Sequence, residues 1–284
     1  MAIFSNQATL TYNGNTTNSN IAYGEILDVL TATKTAIEGS YTPGELVTYV
    51  VTLRNTGSAA LTGLTLTDDL GGYEFNDDTV YPLTYEIGSA ALFVNGIPQP
   101  APAVTAGPPL ILTDISVPAN GNIVIVYQAR SNEFASPAMD GTIVNTITVT
   151  GDDLSAPVTA TETVASSTAP SLTITKSISP SQVADNGRVT YTFVIRNYGN
   201  EAVVATDDAA VSDLFDPILT ALTVIFDGAV WTEGVQYNYN QTTGLFTTVP
   251  GQILVPAATY TRDSVTGAYT VTPGTVTLTV TGTI

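Results

Sequence analysis

Short runs in which apolar and polar residues alternate recur along the whole chain. Alternation of this kind places every second side chain on one face of an extended strand. Thr, Val, Ile and Tyr dominate the runs, and Gly, Pro, Asn and Asp separate them, as is typical of strands joined by turns. Clear examples are ELVTYVVTLRN (45–55), NIVIVYQAR (122–130), TIVNTITVTG (142–151), RVTYTFVIRN (188–197) and TVTLTVTG (275–282). No stretch has convincing helical periodicity, so the pattern predicts an all-β chain built of sandwiches.

The alternating runs belong to an internal repeat. Residues 31–57 align without a gap with residues 173–199. The alignment pairs polar, aromatic and glycine positions: Lys34 with Lys176, Tyr49 with Tyr191, Arg54 with Arg196, Asn55 with Asn197, Gly57 with Gly199 and, further along, Asp68 with Asp213. The chain is 284 residues long, enough for two ordinary domains. The repeat therefore predicts two tandem immunoglobulin-like sandwiches, at residues 30–165 and 166–284.

The second copy of the repeat is shorter than the first. In the first copy, a strand with Asn145 lies 111 residues after Lys34, whereas 108 residues follow Lys176. We therefore expect the second sandwich to lack its last strand. A sandwich without one strand exposes an open sheet edge and an apolar groove.

The first residues of the chain resemble the strand that the second copy lacks. FSNQATLTYNG (4–14) reads like the closing strand of the first copy when Asn6 is placed over Asn145. We predict that residues 1–29 are a donor-strand arm that completes the second sandwich of a neighbouring chain, linking chains head to tail into an open filament. The donor residues alternate along the strand: Phe4, Asn6, Ala8, Leu10 and Tyr12. Two alternatives stay open. The arm is a frayed tail or extra strand of the first sandwich, or it folds back onto the second sandwich of its own chain.

Composition limits the chemistry of the chain. Cys and His are absent, which excludes disulfides, a Cys nucleophile, a His base, and zinc or copper sites built from thiolate or imidazole. The formal net charge is −18 with 7 basic residues, which argues against nucleic acid and anionic membranes as partners. We expect no cofactor, no enzyme active site and no membrane insertion, and the start of the chain has no recognisable secretory signal.

The two lysines of the chain occupy the same repeat position, Lys34 and Lys176. A lysine desolvated among apolar residues has a lowered pKa and is partly neutral, so it becomes a nucleophile. Beside an Asn carboxamide, such an amine can attack the amide carbon and expel ammonia, while a protonated Asp polarises the carboxamide oxygen and shuttles protons. The simpler interpretation is that both lysines are solvated residues inherited with the repeat.

An ordered set of motifs resembles a known group of proteins. TKT, GELVTYVVTLRNTG, LTLTDDL, IVIVYQA and VNTITVTG, in this order, are similar to the repeat domains of Gram-positive surface proteins and to the isopeptide-forming domains of fimbrial shaft subunits. The resemblance covers nearly all of residues 30–165 and, less completely, the second copy. It implies an intramolecular bond between Lys34 and Asn145 with Asp68 as the catalyst, or Asp69 if the register is shifted by one.

The second copy departs from this pattern because it has Lys176 and Asp213 but no Asn in a closing strand. If the arm of a neighbour completes the sandwich, Asn6 supplies the missing carboxamide, and a bond between Lys176 and Asn6 makes the joint covalent. The resemblance thus implies a self-assembling subunit of an extracellular appendage on a bacterial cell or spore, with itself as the partner. A tip or anchor protein is not identified.

Other features suggest rival functions. The main rival is an adhesin module in which the sandwiches are spacers and a loop such as 71–110 binds a ligand or carbohydrate. The acidic segments 68–78 and 206–216 could hold Ca²⁺ or a glycosidase pair, but they lack the ligand spacing and the cleft, so we predict solvated loops and no metal. Trp231 is either a sugar platform or, as a lone Trp in a β-protein more often is, a core residue.

Overall fold

The computed structural model describes residues 2–284 and confirms the all-β prediction. The helical element within that range is a single 3-10 turn, Ala205–Asp207. None of the described residues forms a helix with the length and hydropathy needed to cross a bilayer. Contacts divide the chain into two compact units. Unit 1 is the chain up to Ser136 with Gly141–Ala165, and unit 2 is Pro137–Asp140 with Ser166–Ile284.

The arm at the start of unit 1 is a β-hairpin. Its strands are β1 (Ala2–Asn6), β2 (Thr9–Tyr12), β3 (Asn15–Asn18) and β4 (Ala22–Ile26). Strand β1 pairs antiparallel with β4, and β2 with β3. The turn residues Asn13 and Gly14 have φ of 44° and 77°, the positive values that a two-residue hairpin loop of type I′ requires. Among the described residues, the four strands pair only with one another.

The apolar side chains of the arm are exposed to solvent: Ile3, Phe4, Leu10, Tyr12, Ile21, Tyr23 and Leu27. The Phe4 ring lies across Gly24 on the opposite strand, where a Cβ would come within 2.2 Å of the ring. An isolated two-stranded hairpin without a covered apolar face has marginal stability in water. The arm is therefore a hairpin whose apolar side chains lack a core.

Unit 1 is a sandwich of two six-stranded sheets. Its strands are β5 (Leu30–Ala36), β6 (Ser40–Tyr41), β7 (Leu46–Asn55), β8 (Leu61–Asp68), β9 (Tyr73–Phe75), β10 (Asp78–Val80), β11 (Leu83–Tyr85), β12 (Ala91–Val94), β13 (Ile97–Gln99), β14 (Ala103–Thr105), β15 (Leu110–Val117), β16 (Asn122–Ser131), β17 (Thr142–Thr150) and β18 (Val158–Ser166). One sheet has the order β13-β12-β16-β7-β5, with β11 also paired to β16. The other has the order β14-β15-β8-β17-β18-β6. In the central strands, buried and less buried residues alternate, so both sheets direct one face into a shared core.

Unit 2 repeats the first sheet of unit 1 and part of the second. Its strands are β19 (Leu172–Ser179), β20 (Arg188–Asn197), β21 (Ser212–Leu214), β22 (Thr220–Phe226), β23 (Ala229–Trp231), β24 (Tyr237–Asn240), β25 (Leu245–Thr248), β26 (Thr259–Arg262), β27 (Tyr269–Thr272) and β28 (Gly274–Thr283). The order β19-β20-β28-β22-β23 matches β5-β7-β16-β12-β13, whereas the described strands of the opposing sheet are β21-β25-β24. Strands β26 and β27 form a separate hairpin.

The opposing sheet of unit 2 has an open edge. In unit 1, β8 lies between β15 and β17, and Asp68 is opposite Leu110 on one side and Ile147 on the other. In unit 2, the counterpart β21 pairs with β25 on one side, and no other described strand pairs with it. Counterparts of β17 and β18 are thus absent from the described part of unit 2. The predicted lack of the last strand is confirmed and extends to a second strand.

Candidate cross-linking sites

Lys34 and Asp68 form a buried ion pair in the core of unit 1. Lys34 lies on β5 and Asp68 at the end of β8 in the opposing sheet, and Nζ is 2.7 Å from Oδ2 with both side chains fully buried. Burial lowers the pKa of Lys34, and the Asp68 carboxylate only partly opposes this shift. The amine is therefore easier to deprotonate than that of an exposed lysine.

Asp68 is held by two further donors. Its Oδ1 accepts a hydrogen bond from the Leu70 amide at 2.8 Å, and its Oδ2 accepts one from the Tyr127 hydroxyl. Burial, reinforced by the Asp68 charge, raises the pKa of Tyr127 well above its usual value. Tyr127 consequently stays protonated and fixes the carboxylate beside Lys34.

Asn145 lies on the strand next to Asp68 and is fully buried. Ile147 of β17 is opposite Asp68, and Asn145 is two residues along on the same face of the strand. Neither polar atom of the Asn145 carboxamide has a hydrogen-bond partner among the described residues. Each unpaired buried polar group costs about 1–3 kcal/mol, so an inert amide here is unfavourable.

Asp69, the alternative catalyst, has a different role. Its Oδ1 accepts hydrogen bonds from the Gly71 amide and from the Thr146 amide, each at 2.9 Å. The side chain is thus occupied in joining the turn after β8 to strand β17, next to Asn145. The register that the resemblance implies, with Asp68 as the inward residue, agrees with this geometry.

Tyr49 is a residue of this site to which the sequence analysis gave no role. The Lys34 Nζ lies 4.7 Å from the centroid of the Tyr49 ring, and this ring stacks on Tyr127 with centroids 5.6 Å apart. The Tyr49 hydroxyl is buried and has no hydrogen-bond partner in the described structure, and burial raises its pKa. The Asn145 carboxamide lies beside both hydroxyls and slightly offsets the rise in their pKa values, without a well-aligned hydrogen bond to either.

In unit 2, the corresponding ion pair is accessible. Lys176 Nζ contacts Asp213 Oδ2, but the two side chains are 40% and 17% exposed, whereas their counterparts in unit 1 are fully buried. Lys176 Nζ lies 4.6 Å from the centroid of Tyr191, the counterpart of Tyr49. The lysine, the aspartate and the tyrosine are thus assembled at a site that is only partly covered.

The strand that carries Lys176 exposes the face that its counterpart buries. Leu172, Ile174 and Ile178 lie on the same face of β19 as Lys176 and are 44%, 53% and 44% exposed. On β5, by contrast, Leu30 is buried and Ala32 and Ala36 pack against the core. The exposed face of β19 and the unpaired edge of β21 therefore correspond to the faces of β5 and β8 that belong to the closed core of unit 1.

The donor residues of the sequence analysis lie along the exposed arm. Phe4 and Asn6 belong to β1, Ala8 follows it, and Leu10 and Tyr12 belong to β2. Asn6 is opposite Ala22 across the β1–β4 pair, much as Asn145 is opposite Glu162 across the β17–β18 pair. The arm thus has the two-stranded form of the segment that unit 2 lacks.

The acidic segments and Trp231 are the other candidates of the sequence. Among the described residues, no group of three or more acidic side chains is arranged to hold a metal ion. Trp231 is half-buried on β23 and stacks on Phe226, with ring centroids 4.8 Å apart. Its ring is therefore partly covered by its own sheet.

Comparison with known proteins gives similarity at the level of structure. No protein-family model matches the chain, and no curated protein matches it. The structure is similar to BcpA, the major pilin subunit of Bacillus cereus, with 11% identity and a TM-score of 0.38 over 96% of this chain and 73% of that one. It is similar to the pilus backbone RrgB of Streptococcus pneumoniae, with 14% identity and a TM-score of 0.36 over 86% of this chain and 55% of that one. The collagen-binding domain of a Staphylococcus aureus adhesin matches with 11% identity and a TM-score of 0.31, over 49% of this chain and 99% of that domain.

Proposed function

We propose that this chain is a structural subunit of an extracellular filament, in which the arm of one chain completes unit 2 of its neighbour. The observation that carries the proposal is the open edge of β21 beside the exposed apolar face of β19. The same positions in unit 1 are covered by the two strands β17 and β18. Donor and acceptor are different surfaces, so repeated contacts that do not close into a ring grow an open filament.

Strand donation satisfies both surfaces at once. The backbone groups of β21 gain a ladder partner, and the arm gains a core for its exposed apolar side chains. Complete burial of an aliphatic or aromatic side chain contributes about 1.5–3 kcal/mol, and Leu172, Ile174, Phe4 and Leu10 each gain a part of this. The joint is therefore stable before any covalent bond forms.

Unit 1 has all the groups needed for a lysine–asparagine isopeptide bond, and unit 2 has the lysine and the aspartate. In unit 1, a proton passes from Lys34 to Asp68, the neutral Nζ attacks the Asn145 Cγ, and the C–N bond to Nδ2 breaks with release of ammonia. Of the ammonium protons, one stays on the new amide, one leaves with ammonia and one remains on Asp68. The buried product carries no charge, which removes the desolvation cost of the ion pair.

The same reaction at unit 2 requires a neighbour. Asn6 of the donor chain supplies the carboxamide to Lys176, and Asp213 takes the proton. Self-linking is the only chemistry that we assign to the chain, and the partner is another copy of itself. Such covalent joints replace the disulfides that a chain without Cys cannot form, which suits an appendage on a cell or spore surface.

The proposal is tested by boiling the full chain in SDS after incubation and imaging the same sample by electron microscopy. The parent is expected to give fibres and a ladder of covalent multimers. Asn6→Ala keeps the fibres and loses the ladder, since the strand still docks but has no carboxamide. A chain without residues 2–27 loses both, and a parent that elutes as a monomer from a non-denaturing column rules out the filament.

A second candidate function is ligand binding by unit 1. A cleft of about 280 Å³ is lined by residues of the predicted loop region and its neighbours, among them Val80, Tyr81, Tyr85, Pro108 and Phe134. Aromatic and proline side chains are common in carbohydrate and peptide sites. The volume lies slightly below the usual range of about 300–1,000 Å³ for ligand pockets, so this function ranks second. Glycan-array binding that Tyr81→Ala abolishes, in a parent that forms no fibres, would favour it.

A further inference from the structure

We infer that Tyr49 is a catalytic residue of the isopeptide reaction in unit 1, as the hydrogen-bond donor to the Asn145 carboxamide oxygen, and that Tyr191 has this role in unit 2. The inference rests on the proposed cross-linking and assigns one step of it. The sequence pattern predicts that the aspartate polarises the carboxamide oxygen. The structure favours separate residues for proton transfer and for stabilising the carboxamide oxygen.

Asp68 is fully engaged by other groups. Its Oδ2 accepts hydrogen bonds from Lys34 and Tyr127, and its Oδ1 accepts one from the Leu70 amide. The carboxyl group is therefore placed to take a proton from Lys34, but it makes no hydrogen bond to Asn145. Another donor has to stabilise the charge that develops on the carboxamide oxygen.

The Tyr49 hydroxyl is a hydrogen-bond donor without an acceptor among the described residues. It is buried, it lies beside the Asn145 carboxamide, and both groups lack well-aligned hydrogen-bond partners among the described residues. When Lys34 Nζ attacks Cγ, the electron pair of the C=O bond moves to Oδ1, and an oxyanion forms there. A hydroxyl that donates to that oxygen stabilises the oxyanion, because its hydrogen bond strengthens in the transition state.

The second copy supports this choice between the two tyrosines. Tyr49 has the counterpart Tyr191, and the lysine stands over the ring in both copies, at 4.7 and 4.6 Å. Tyr127 aligns with Val280, and in unit 2 the ring that stacks on Tyr191 belongs to Phe215. A tyrosine therefore occupies the Tyr49 position in both units, whereas the Tyr127 position holds a tyrosine in unit 1 and a valine in unit 2. Tyr127 is a positioning residue that orients Asp68.

The test follows bond formation by intact mass in an Asn6→Ala background, in which loss of one ammonia reports unit 1 alone. The chain is made by cell-free synthesis, translation is stopped, and the bonded fraction is recorded over time. Tyr49→Phe is expected to slow the reaction about 100-fold, the usual effect of removing one oxyanion donor. Tyr41→Phe, which removes another buried hydroxyl bonded to the Ser136 carbonyl at 2.5 Å, is the control and keeps the parent rate.

The outcomes separate the inference from the proposal on which it rests. A parent that never loses ammonia overturns the cross-linking itself. A parent that loses ammonia at the same rate as Tyr49→Phe overturns the role of Tyr49. If Tyr49→Phe fails to fold, the same comparison is made at unit 2, where Tyr191→Phe in the full chain with Asn6 intact should give normal fibres and a covalent ladder that appears about 100-fold later. A ladder at the parent rate counts against the inference.

Discussion

Lys34 and Lys176 occupy the same position of two homologous strands, yet Lys34 is fully buried and Lys176 is 40% exposed in its side chain. Each contacts an aspartate and stands over a tyrosine ring. The difference arises from the opposing sheet, where β17 and β18 cover the site in unit 1 and no described strand does so in unit 2. The second site thus has the same lysine, aspartate and tyrosine as the first without the two covering strands.

The same substitution should therefore have unequal effects in the two units. In an Asn145→Ala background, where no bond forms in unit 1, Lys34→Met leaves the Asp68 charge buried and unpaired. We expect a loss of about 3–5 kcal/mol in the free energy of unfolding of unit 1. Lys176→Met, which breaks an accessible pair, should cost unit 2 about 1 kcal/mol or less. Urea denaturation measures both, and equal losses would contradict the burial of the first site.

The stability of unit 1 should rise with pH in the absence of the bond. The pKa of Lys34 is lower in the folded state than its usual value of 10.5, so between the two values the unfolded chain binds more protons. Stability then increases as pH rises through this window, because a neutral Lys34 amine has no charge to bury and still donates the hydrogen bond to Asp68 that Met cannot make. The check is the urea midpoint of the Asn145→Ala chain between about pH 7 and pH 9.5, below the titration of exposed tyrosines. Adding Lys34→Met and Asp68→Leu should remove the slope.

Much of this arrangement can be predicted from the sequence, because strand alternation is a local signal and the repeat appears when the two halves of the chain are aligned. The alignment places Lys34 with Lys176 and Asp68 with Asp213, and the structure puts each lysine beside its aspartate. The cross-links themselves stay predictions.

Other features could not be predicted from the sequence because they depend on contacts between distant strands. The hydroxyls of Tyr49 and Tyr127 meet Asn145 only when the two sheets pack face to face. Strand β4 of the arm lacks strong alternation. Its pairing with β1, in which Phe4 is opposite Gly24, is visible only in the structure.

The Arg-Asn-x-Gly motif of the repeat is structural, and its asparagine should stabilise both units. Asn55 Oδ1 accepts a hydrogen bond from the Gly57 amide, and its Nδ2 donates to the Ala59 and Pro118 carbonyls. Asn197 repeats these contacts with Gly199, Glu201 and Pro256. Each buried side chain thus ties a turn to a neighbouring loop. Asn55→Ala and Asn197→Ala should each cost about 1–3 kcal/mol in their own unit, measured by urea denaturation, and leave the other unit unchanged.

The register of the arm predicts a compensating pair of substitutions. With Asn6 placed over Asn145, Phe4 and Gly24 take the positions of Ile143 and Val164, which are opposite one another and buried in unit 1. One large ring with a glycine thus replaces two aliphatic side chains of intermediate size, and a Cβ at Gly24 collides with the Phe4 ring.

Gly24→Val alone should therefore impair filament growth, since the ring and the new side chain cannot share one place in the acceptor groove. Phe4→Ile in combination with Gly24→Val rebuilds the pair found in unit 1 and should restore growth to near the parent rate. Light scattering and SDS ladders measure the two effects, with Tyr23→Val on the outer face of the same hairpin as the control. If the double variant grows no better than Gly24→Val, then β1 and β4 do not enter the groove in the register of β17 and β18.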